Sequence, residues 1–262
     1  MAMRTLRRSP LCGVVSVALL IVVRSTQAAS CCPGDINGDH VVTIDEILRV
    51  VNAALNGCAA EPVPCQGGAL LTTGQTQCDQ GSGTLGACPG SPAGQDAAVG
   101  AGAPLSYTDN GDGTITDNVT GLMWEKLSQG DGSIHDVNNT YTWDDAFNVK
   151  ISALNAAPCF AGQCDWRLPN RKELDSLVDL GRVAPAVDPV FNTQCVIPGP
   201  SCTVASCSCT QLDFYWSSTT YQDTPDYAWA VDGNTGRVTA FEKYTPPIPP
   251  IPLYVRAVRG GL

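Results

Sequence analysis

The chain has 262 residues, of which 44% are hydrophobic and 15% are charged, and its formal net charge at pH 7 is −10. This length suffices for one large domain with accessory segments, and the acidic balance disfavours nucleic acid and anionic membranes as partners. The 13 cysteines exclude an ordinary cytosolic protein and favour an exported one.

The first 28 residues have the pattern of a secretory signal. Arg4, Arg7 and Arg8 precede an apolar run over 11–23, and small residues follow as far as Ala28. The run is too short to span a membrane. Cleavage after Ala28 removes four of the 15 basic residues and no acidic one, leaving 11 basic and 25 acidic residues and a net charge of −14. We therefore expect an extracellular or periplasmic protein, released or held at the cell surface, with no membrane span after cleavage and with an affinity for cations such as Ca²⁺.

The remaining cysteines predict disulfide bonds. Removal of the signal also removes Cys12 and leaves twelve cysteines, six before residue 100 and six after it. An even number of cysteines in an exported chain is typical of disulfides. Zinc binding is an alternative for one cluster, although the cluster lacks the two CxxC-like pairs of most zinc sites. The cluster consists of Cys195, Cys202, Cys207 and Cys209.

Residues 35–46 have the spacing of an EF-hand calcium loop. An apolar helical stripe follows the loop, and Gly57 ends it. Position 6 of the loop is His40 instead of the usual Gly, so we expect Ca²⁺ to bind more weakly than at a typical site. The alternative is an Asn-Gly-Asp turn before a helix, without metal. The candidate ligands are Asp35, Asn37, Asp39, the Val41 carbonyl, Thr43 and Glu46.

The loop and its helix, residues 31–58, resemble one half of a type I dockerin. Dockerins carry two such repeats and dock on cohesin modules, so the resemblance implies a calcium-binding motif and a cohesin-like protein as a candidate partner. Only one repeat is found here. The Asp-rich stretch 109–113 is no second loop, because it has Gly at positions 3 and 5; it is read as a tight turn, with a minor cation site as the alternative.

The rest of the chain divides into a linker and one large domain. Residues 59–103 are rich in Gly and small polar residues and contain three cysteines, as expected of a Cys/Gly-rich linker. Residues 104–262 contain all five tryptophans and predict one α+β domain, loop-rich and stapled by disulfides, with small antiparallel sheets and two helices. Its predicted strands are 114–117, 122–126, 214–217, 227–232, 237–242 and 253–258, with a hairpin turn over 232–236.

Both helices have recognisable start signals. Thr142 precedes Asp145 by three residues, and Asn170 precedes Glu173 in the same way, as in a capping box. Gly181 is the predicted end of the second helix. Arg167 is expected to satisfy buried carbonyls, and the proline-rich stretch 245–252 is expected to form an extended loop. The expected core tryptophans are Trp124, Trp143, Trp166 and Trp216.

The large domain contains six short motifs, at residues 108–118, 120–124, 141–146, 165–174, 215–218 and 254–259. In this order they resemble the C-terminal domain family of the Legionella collagen-like protein. The resemblance implies a C-type-lectin-like fold, also similar to that of formylglycine-generating enzymes, and a secreted or surface protein that binds glycans and adheres. The sugar-binding motifs of Ca²⁺-dependent lectins are absent from the sequence, and no reactive cysteine pair follows Cys209. The family's preference for sulfated glycans also fits poorly with an acidic chain, unless Arg171, Lys172 and Arg182 gather locally.

These observations favour a non-catalytic binding or adhesion protein directed at a glycan or a cell surface. The candidate contacts are Tyr221, Tyr227 and Trp229; alternatively, Tyr227 and Trp229 alternate into the core together with Val231. A second hypothesis is a cohesin-docking component of an extracellular polysaccharide-degrading assembly. A third is an enzyme relic of the formylglycine-generating type. No catalytic residue is identified, because two histidines, one of them in the calcium loop, offer little for a Ser-His-Asp arrangement.

Overall fold

The computed structural model describes residues 70–80, 83–88, 93–243 and 249–260. The predicted signal, the dockerin-like motif and the six candidate calcium ligands lie outside the described residues, as do residues 245–248 of the predicted proline-rich loop. Within the described ranges, the helices are all too short or too polar to traverse a bilayer.

A four-stranded antiparallel sheet forms one half of the domain. Its strands lie in the order β3 (Tyr107–Asp109), β4 (Thr114–Asp117), β5 (Met123–Glu125) and β9 (Val258–Arg259). Trp124 of β5 pairs with Ile115 of β4 on one side and with Val258 of β9 on the other. The predicted β4 is confirmed at both ends, whereas β3 was not predicted. A separate two-stranded ribbon pairs β1 (Cys78–Asp79) with β2 (Leu85–Gly86).

A three-stranded antiparallel sheet forms the other half, in the order β6–β7–β8. These strands are β6 (Phe214–Thr220), β7 (Tyr227–Asp232) and β8 (Val238–Glu242). The predicted hairpin turn between β7 and β8 is confirmed, since the Gly236 amide donates to the Asp232 carbonyl at 2.9 Å. All three strands of this sheet were predicted, because each has alternating apolar residues bounded by turn residues.

The predicted strand over 253–258 is wrong for most of its length. Only Val258 and Arg259 form a strand, while Leu253 and Tyr254 make isolated bridges. The backbone amide of Ala257 donates instead to the Glu125 carboxylate at 3.0 Å. A side-chain acceptor therefore replaces a ladder partner, and the segment passes between the two sheets as an irregular connector.

Three α-helical segments are present in the described residues. Helix α1 (Asp96–Val99) was not predicted. Helix α2 begins after Thr142, whose side chain accepts from the Asp145 amide as predicted. Its middle is π-helical rather than regular. Its three parts are Trp143–Asp145, Ala146–Ile151 and Ser152–Asn155.

Helix α3 (Arg171–Asp175) has the predicted capping box between Asn170 and Glu173. It ends well before Gly181, where the sequence predicted its end. The Ser176 hydroxyl donates to the Glu173 carbonyl at 2.6 Å, and Val178 forms a bridge with Val187. The chain leaves the helix early because its next residues join that bridge. Two 3₁₀ turns complete the elements: Phe160–Gly162 and Pro189–Asn192.

The three-stranded sheet lies between two hydrophobic clusters. Tyr215 and Val231 face the cluster that contains Trp124, and Trp216 and Ala230 face the other. This is the period-two alternation of a sheet buried on both faces. Trp124, Trp166 and Trp216 are buried, as predicted, whereas Trp143 is only half-buried.

The predicted disulfides are confirmed for the eight cysteines that the structure describes. The pairs are Cys78–Cys88, Cys159–Cys164, Cys195–Cys209 and Cys202–Cys207. The last two bonds lie in the long loop between the 3₁₀ turn Pro189–Asn192 and β6, which we call the insertion before β6. The structure thus confirms a loop-rich α+β fold of small antiparallel sheets, stapled by disulfides.

Candidate functional site

A buried ionic centre lies behind β5. The Glu125 carboxylate is fully buried, and its Oε1 accepts from Lys150 Nζ at 2.5 Å and lies 2.7 Å from His135 Nδ1. Burial alone would raise the pKa of Glu125, but the charge of Lys150 and the hydrogen bond from His135 outweigh it and lower the pKa to about 2. Glu125 is therefore held ionised.

The remaining groups of this centre are satisfied as well. Lys150 Nζ also donates to the Ile134 carbonyl at 2.7 Å. The buried Arg256 donates to the Glu125 carbonyl at 2.8 Å and to the Cys209 carbonyl at 2.6 Å. Because Glu125, Lys150 and Arg256 are buried and bonded to one another or to backbone carbonyls, they tie together β5, α2 and the segment that precedes β9.

The three candidate contacts lie at the loop end of the β6–β7 hairpin. Tyr221 directly follows β6, Tyr227 begins β7, and Trp229 lies two residues further along the same face. The Tyr221 and Trp229 rings meet edge to face, with centroids 5.0 Å apart and an interplanar angle of 76°. All three side chains are half-buried, whereas Val231 on the same face is buried. Alternation into the core thus holds for Val231 and only in part for the other two. We call Tyr221, Tyr227 and Trp229 the aromatic platform.

Arg171 supports this platform from below. It is the first residue of α3, and its amide donates to the Thr219 hydroxyl at 2.9 Å, which ties the helix to β6. Its guanidinium carbon lies 5.2 Å from the centroid of the Trp229 ring. Its Nε is buried and makes no hydrogen bond within the described residues. Stacking on Trp229 therefore fixes the position of this guanidinium.

The opposite face of the same hairpin has a similar arrangement. Lys243 Nζ lies 4.0 Å from the centroid of the Trp143 ring and donates to the Thr220 hydroxyl at 2.7 Å. Trp143 in turn donates from its indole to the Ser217 carbonyl at 3.0 Å. Both faces of the hairpin end thus carry a cation placed over a tryptophan.

Acidic side chains border the platform. Residues 222–226 form an exposed loop, closed by the Tyr221 amide bonding to the Tyr227 carbonyl at 2.8 Å. The loop contains Asp223 and Asp226, and Glu242 of β8 pairs with Tyr227. An ionised carboxylate accepts hydrogen bonds and donates none. This border therefore offers acceptors to a ligand that carries donors.

The Asp-rich stretch 109–113 forms a turn in which both Asp carboxylates already accept hydrogen bonds from the protein. Asp109 accepts from the Gly111 amide at 2.9 Å and from Lys126 Nζ at 2.8 Å. Asp112 accepts from the amide and the hydroxyl of Thr114. These bonds agree with the turn interpretation, because they occupy the carboxylates that a cation would need.

Of the roles predicted for Asn170 and Arg167, the first is confirmed and the second only in part. Asn170 caps α3 as expected. Arg167 pairs mainly with Glu173, with both N···O distances at 2.7 Å, and its side chain donates to one carbonyl within the described residues, that of Gly260. A surface groove of about 430 Å³ runs between residues 70–73 and α3, and the aromatic platform does not line it.

Sequence reasoning missed the stacking of Arg171 on Trp229, the role of Lys243 and the Glu125–Lys150 pair. A signal existed for Lys150, which occupies the apolar stripe of α2 between Phe147 and Leu154. A lysine in that position indicates a buried partner, but not its identity. Nothing in the sequence placed Arg171 over Trp229, because 58 residues separate them.

These observations define the class of the molecule as a disulfide-stapled α+β domain with a buried ionic centre and an aromatic surface at the loop end of one hairpin. The family model described as the Lcl C-terminal domain matches residues 113–259, which is more than half of the chain. The chain therefore belongs to this family, as its six short motifs indicated. A search of curated proteins found no match. The family match begins after the dockerin-like motif, so that motif stays a prediction.

Proposed function

We propose that this protein is a non-catalytic binding protein of the exterior or periplasm that takes a glycan on the aromatic platform. The observation that carries the proposal is the half-buried, edge-to-face pair of Tyr221 and Trp229, held in place by Arg171. A rigid aromatic surface loses little conformational entropy when a ligand covers it, and it matches the apolar face of a sugar ring.

The polar border favours a neutral sugar. Asp223, Asp226 and Glu242 supply acceptors for hydroxyl donors around the rings. The domain surface is acidic, and Arg182, one of the basic residues available for an anionic ligand, is paired with Asp179 at 3.0 Å. A sulfated or carboxylated polymer would therefore be repelled by the charge of the chain.

The direct test is a glycan array that contains neutral and anionic glycans, probed with the full chain. A hit is then titrated against the wild type, Trp229→Ala and Tyr221→Ala. We expect each substitution to weaken binding about tenfold or more, as for aromatic anchors of other interfaces. Trp143→Ala is the matched control, because it removes a half-buried tryptophan from the opposite face of the same hairpin.

Two outcomes would contradict the proposal. One is the absence of any glycan hit with folded protein. The other is a hit whose affinity is the same in Trp229→Ala and the wild type. Capture of a cohesin module in place of a glycan would favour the cohesin-docking alternative.

We also propose that residues 35–46 bind one Ca²⁺ through Asp35, Asn37, Asp39, Val41, Thr43 and Glu46. The support is the ligand spacing in the sequence. Calorimetric titration with Ca²⁺ tests it, and Glu46→Gln should lose the binding because the bidentate ligand of position 12 is removed. Binding that survives Glu46→Gln would show that the ion lies elsewhere.

A further inference from the structure

Four sulfurs converge in the insertion before β6. Cys195 bonds to Cys209 and Cys202 bonds to Cys207, and the two disulfides touch, since the Sγ atoms of Cys207 and Cys209 are 3.9 Å apart. The Sγ atoms of Cys202, Cys207 and Cys209 all lie within 4.8 Å of one another. The fold therefore assembles four sulfurs whose sequence spacing is not that of most zinc sites.

We propose that these four cysteines, when reduced, bind one Zn²⁺ through four thiolates, and that this state and the two disulfides exclude each other. A Zn–S bond of about 2.3 Å in tetrahedral geometry requires sulfurs about 3.8 Å apart. Cys207 and Cys209 already have this spacing. Breaking the two disulfide bonds frees Cys195 and Cys202 to separate from their partners by side-chain rotation. The proposal is independent of the glycan site, which uses none of these residues.

The backbone around the sulfurs is held by contacts that do not depend on the disulfides. Cys202 and Gln129 exchange two amide–carbonyl bonds of 2.8 and 3.0 Å. The Cys209 amide donates to the Leu127 carbonyl at 2.9 Å, and the Ser208 amide donates to the Thr193 carbonyl at 2.9 Å. These bonds keep the cluster together after reduction, so that a metal meets a partly formed site.

Two features of the surroundings bear on the chemistry of the cluster. The buried guanidinium of Arg256 bonds to the Cys209 carbonyl at 2.6 Å, so a positive charge lies beside the backbone of one of the four cysteines. Cys195 and Cys202 are half-buried, which leaves an approach from the surface.

The chemistry balances with a reductant of the thiol or phosphine class. Each disulfide takes up two electrons and two protons and gives two thiols, so two equivalents of a two-electron reductant convert the cluster. Binding of Zn²⁺ then displaces the thiol protons to solvent. Reoxidation by a small-molecule disulfide, which is itself reduced to two thiols for each bond remade, would release the metal.

The test uses the wild-type full chain, reduced with a phosphine without oxygen and given one equivalent of Zn²⁺. A pulse of iodoacetamide followed by peptide mass spectrometry reports the protection of each cysteine. With metal bound, we expect alkylation to slow by about tenfold or more at the four cysteines of the cluster, Cys195, Cys202, Cys207 and Cys209. Cys159 and Cys164, which form a separate pair, are the internal control and should react equally with and without Zn²⁺.

Three results would overturn the proposal. The first is no protection of the four cysteines. The second is protection confined to cysteines outside the cluster, including the five before residue 70. The third is the same protection in urea, which would mean chelation by an unfolded chain. As a second readout, Co²⁺ should give the visible absorption of a tetrahedral thiolate site, which Cys207→Ser abolishes and the double substitution Cys159→Ser, Cys164→Ser retains.

Discussion

Two regions of the domain place their cations in opposite ways. Behind β5, Lys150 and Arg256 are buried and end on fixed acceptors, among them the Glu125 carboxylate. At the hairpin end, Arg171 and Lys243 lie over tryptophan rings at the surface. A cation bound to a buried carboxylate fixes the core around it, whereas a cation on a half-buried ring positions that ring without enclosing it. The first region thus specifies the fold, and the second provides a surface that a ligand can use.

The largest expected effect comes from breaking the buried pair. Lys150→Met leaves the Glu125 carboxylate buried without its main partner, so we expect a loss of about 3–5 kcal/mol in the free energy of unfolding. Urea denaturation measures it. Lys172→Met, at an exposed position of α3, is the control and should change stability by less than about 0.5 kcal/mol. The double variant Glu125→Gln, Lys150→Met should recover part of the loss; an equal loss in Lys150→Met and Lys172→Met would refute the role of the pair.

The contrast between the two regions also explains how far the sequence could be interpreted. The capping box of Asn170 and Glu173 and the turn after β7 were predicted because their partners lie within a few residues. Buried tryptophans such as Trp124 and Trp216 followed from size and hydrophobicity. The Glu125–Lys150 pair spans 25 residues, and pairings at that separation depend on tertiary packing that no local pattern encodes.

The same limit applies to the failed strand and to the candidate site. The segment 253–257 has strand-like alternation, but the Glu125 carboxylate takes the Ala257 amide, a competition visible only in three dimensions. Of the aromatic platform, the alternation of β7 indicated Tyr227 and Trp229 as one face. The support of Trp229 by Arg171 required the packing of α3 on the sheet.

A second prediction concerns acid. The pKa of Glu125 is lowered to about 2 in the folded protein, below its ordinary value near 4.5. A lowered carboxyl pKa contributes stability above the ordinary value, and that contribution is lost as the pH falls towards the folded value. We expect a loss of about 3 kcal/mol from this group between pH 4.5 and pH 2. Urea denaturation over this range checks it. If the stability of Glu125→Gln falls with pH as steeply as that of the wild type, the assignment to Glu125 is wrong.

The third prediction moves to the hairpin end and is smaller. Arg171→Met removes the charge over Trp229 and should cost about 1 kcal/mol, because the guanidinium is partly desolvated. The emission of Trp229 should also become sensitive to added quencher as the ring loses its cover. Lys172→Met, the next residue along α3, serves again as the control for stability and for quenching. Unchanged quenching in Arg171→Met would mean that other residues hold the ring.

The smallest expected effect is at Lys243. Its ammonium lies over Trp143 and is more exposed than the buried cations, so Lys243→Met should lower the free energy of unfolding by only about 0.5 kcal/mol. The loss should persist in high salt, because attraction to a ring at contact distance is screened far less than attraction between distant surface charges. In a Trp143→Ala background, the same substitution should cost nothing further, since the ring it acts on is gone. If Lys243→Met costs the same in both backgrounds, the effect comes from the Thr220 hydrogen bond and not from the ring. The two faces of the hairpin end would then not be alike.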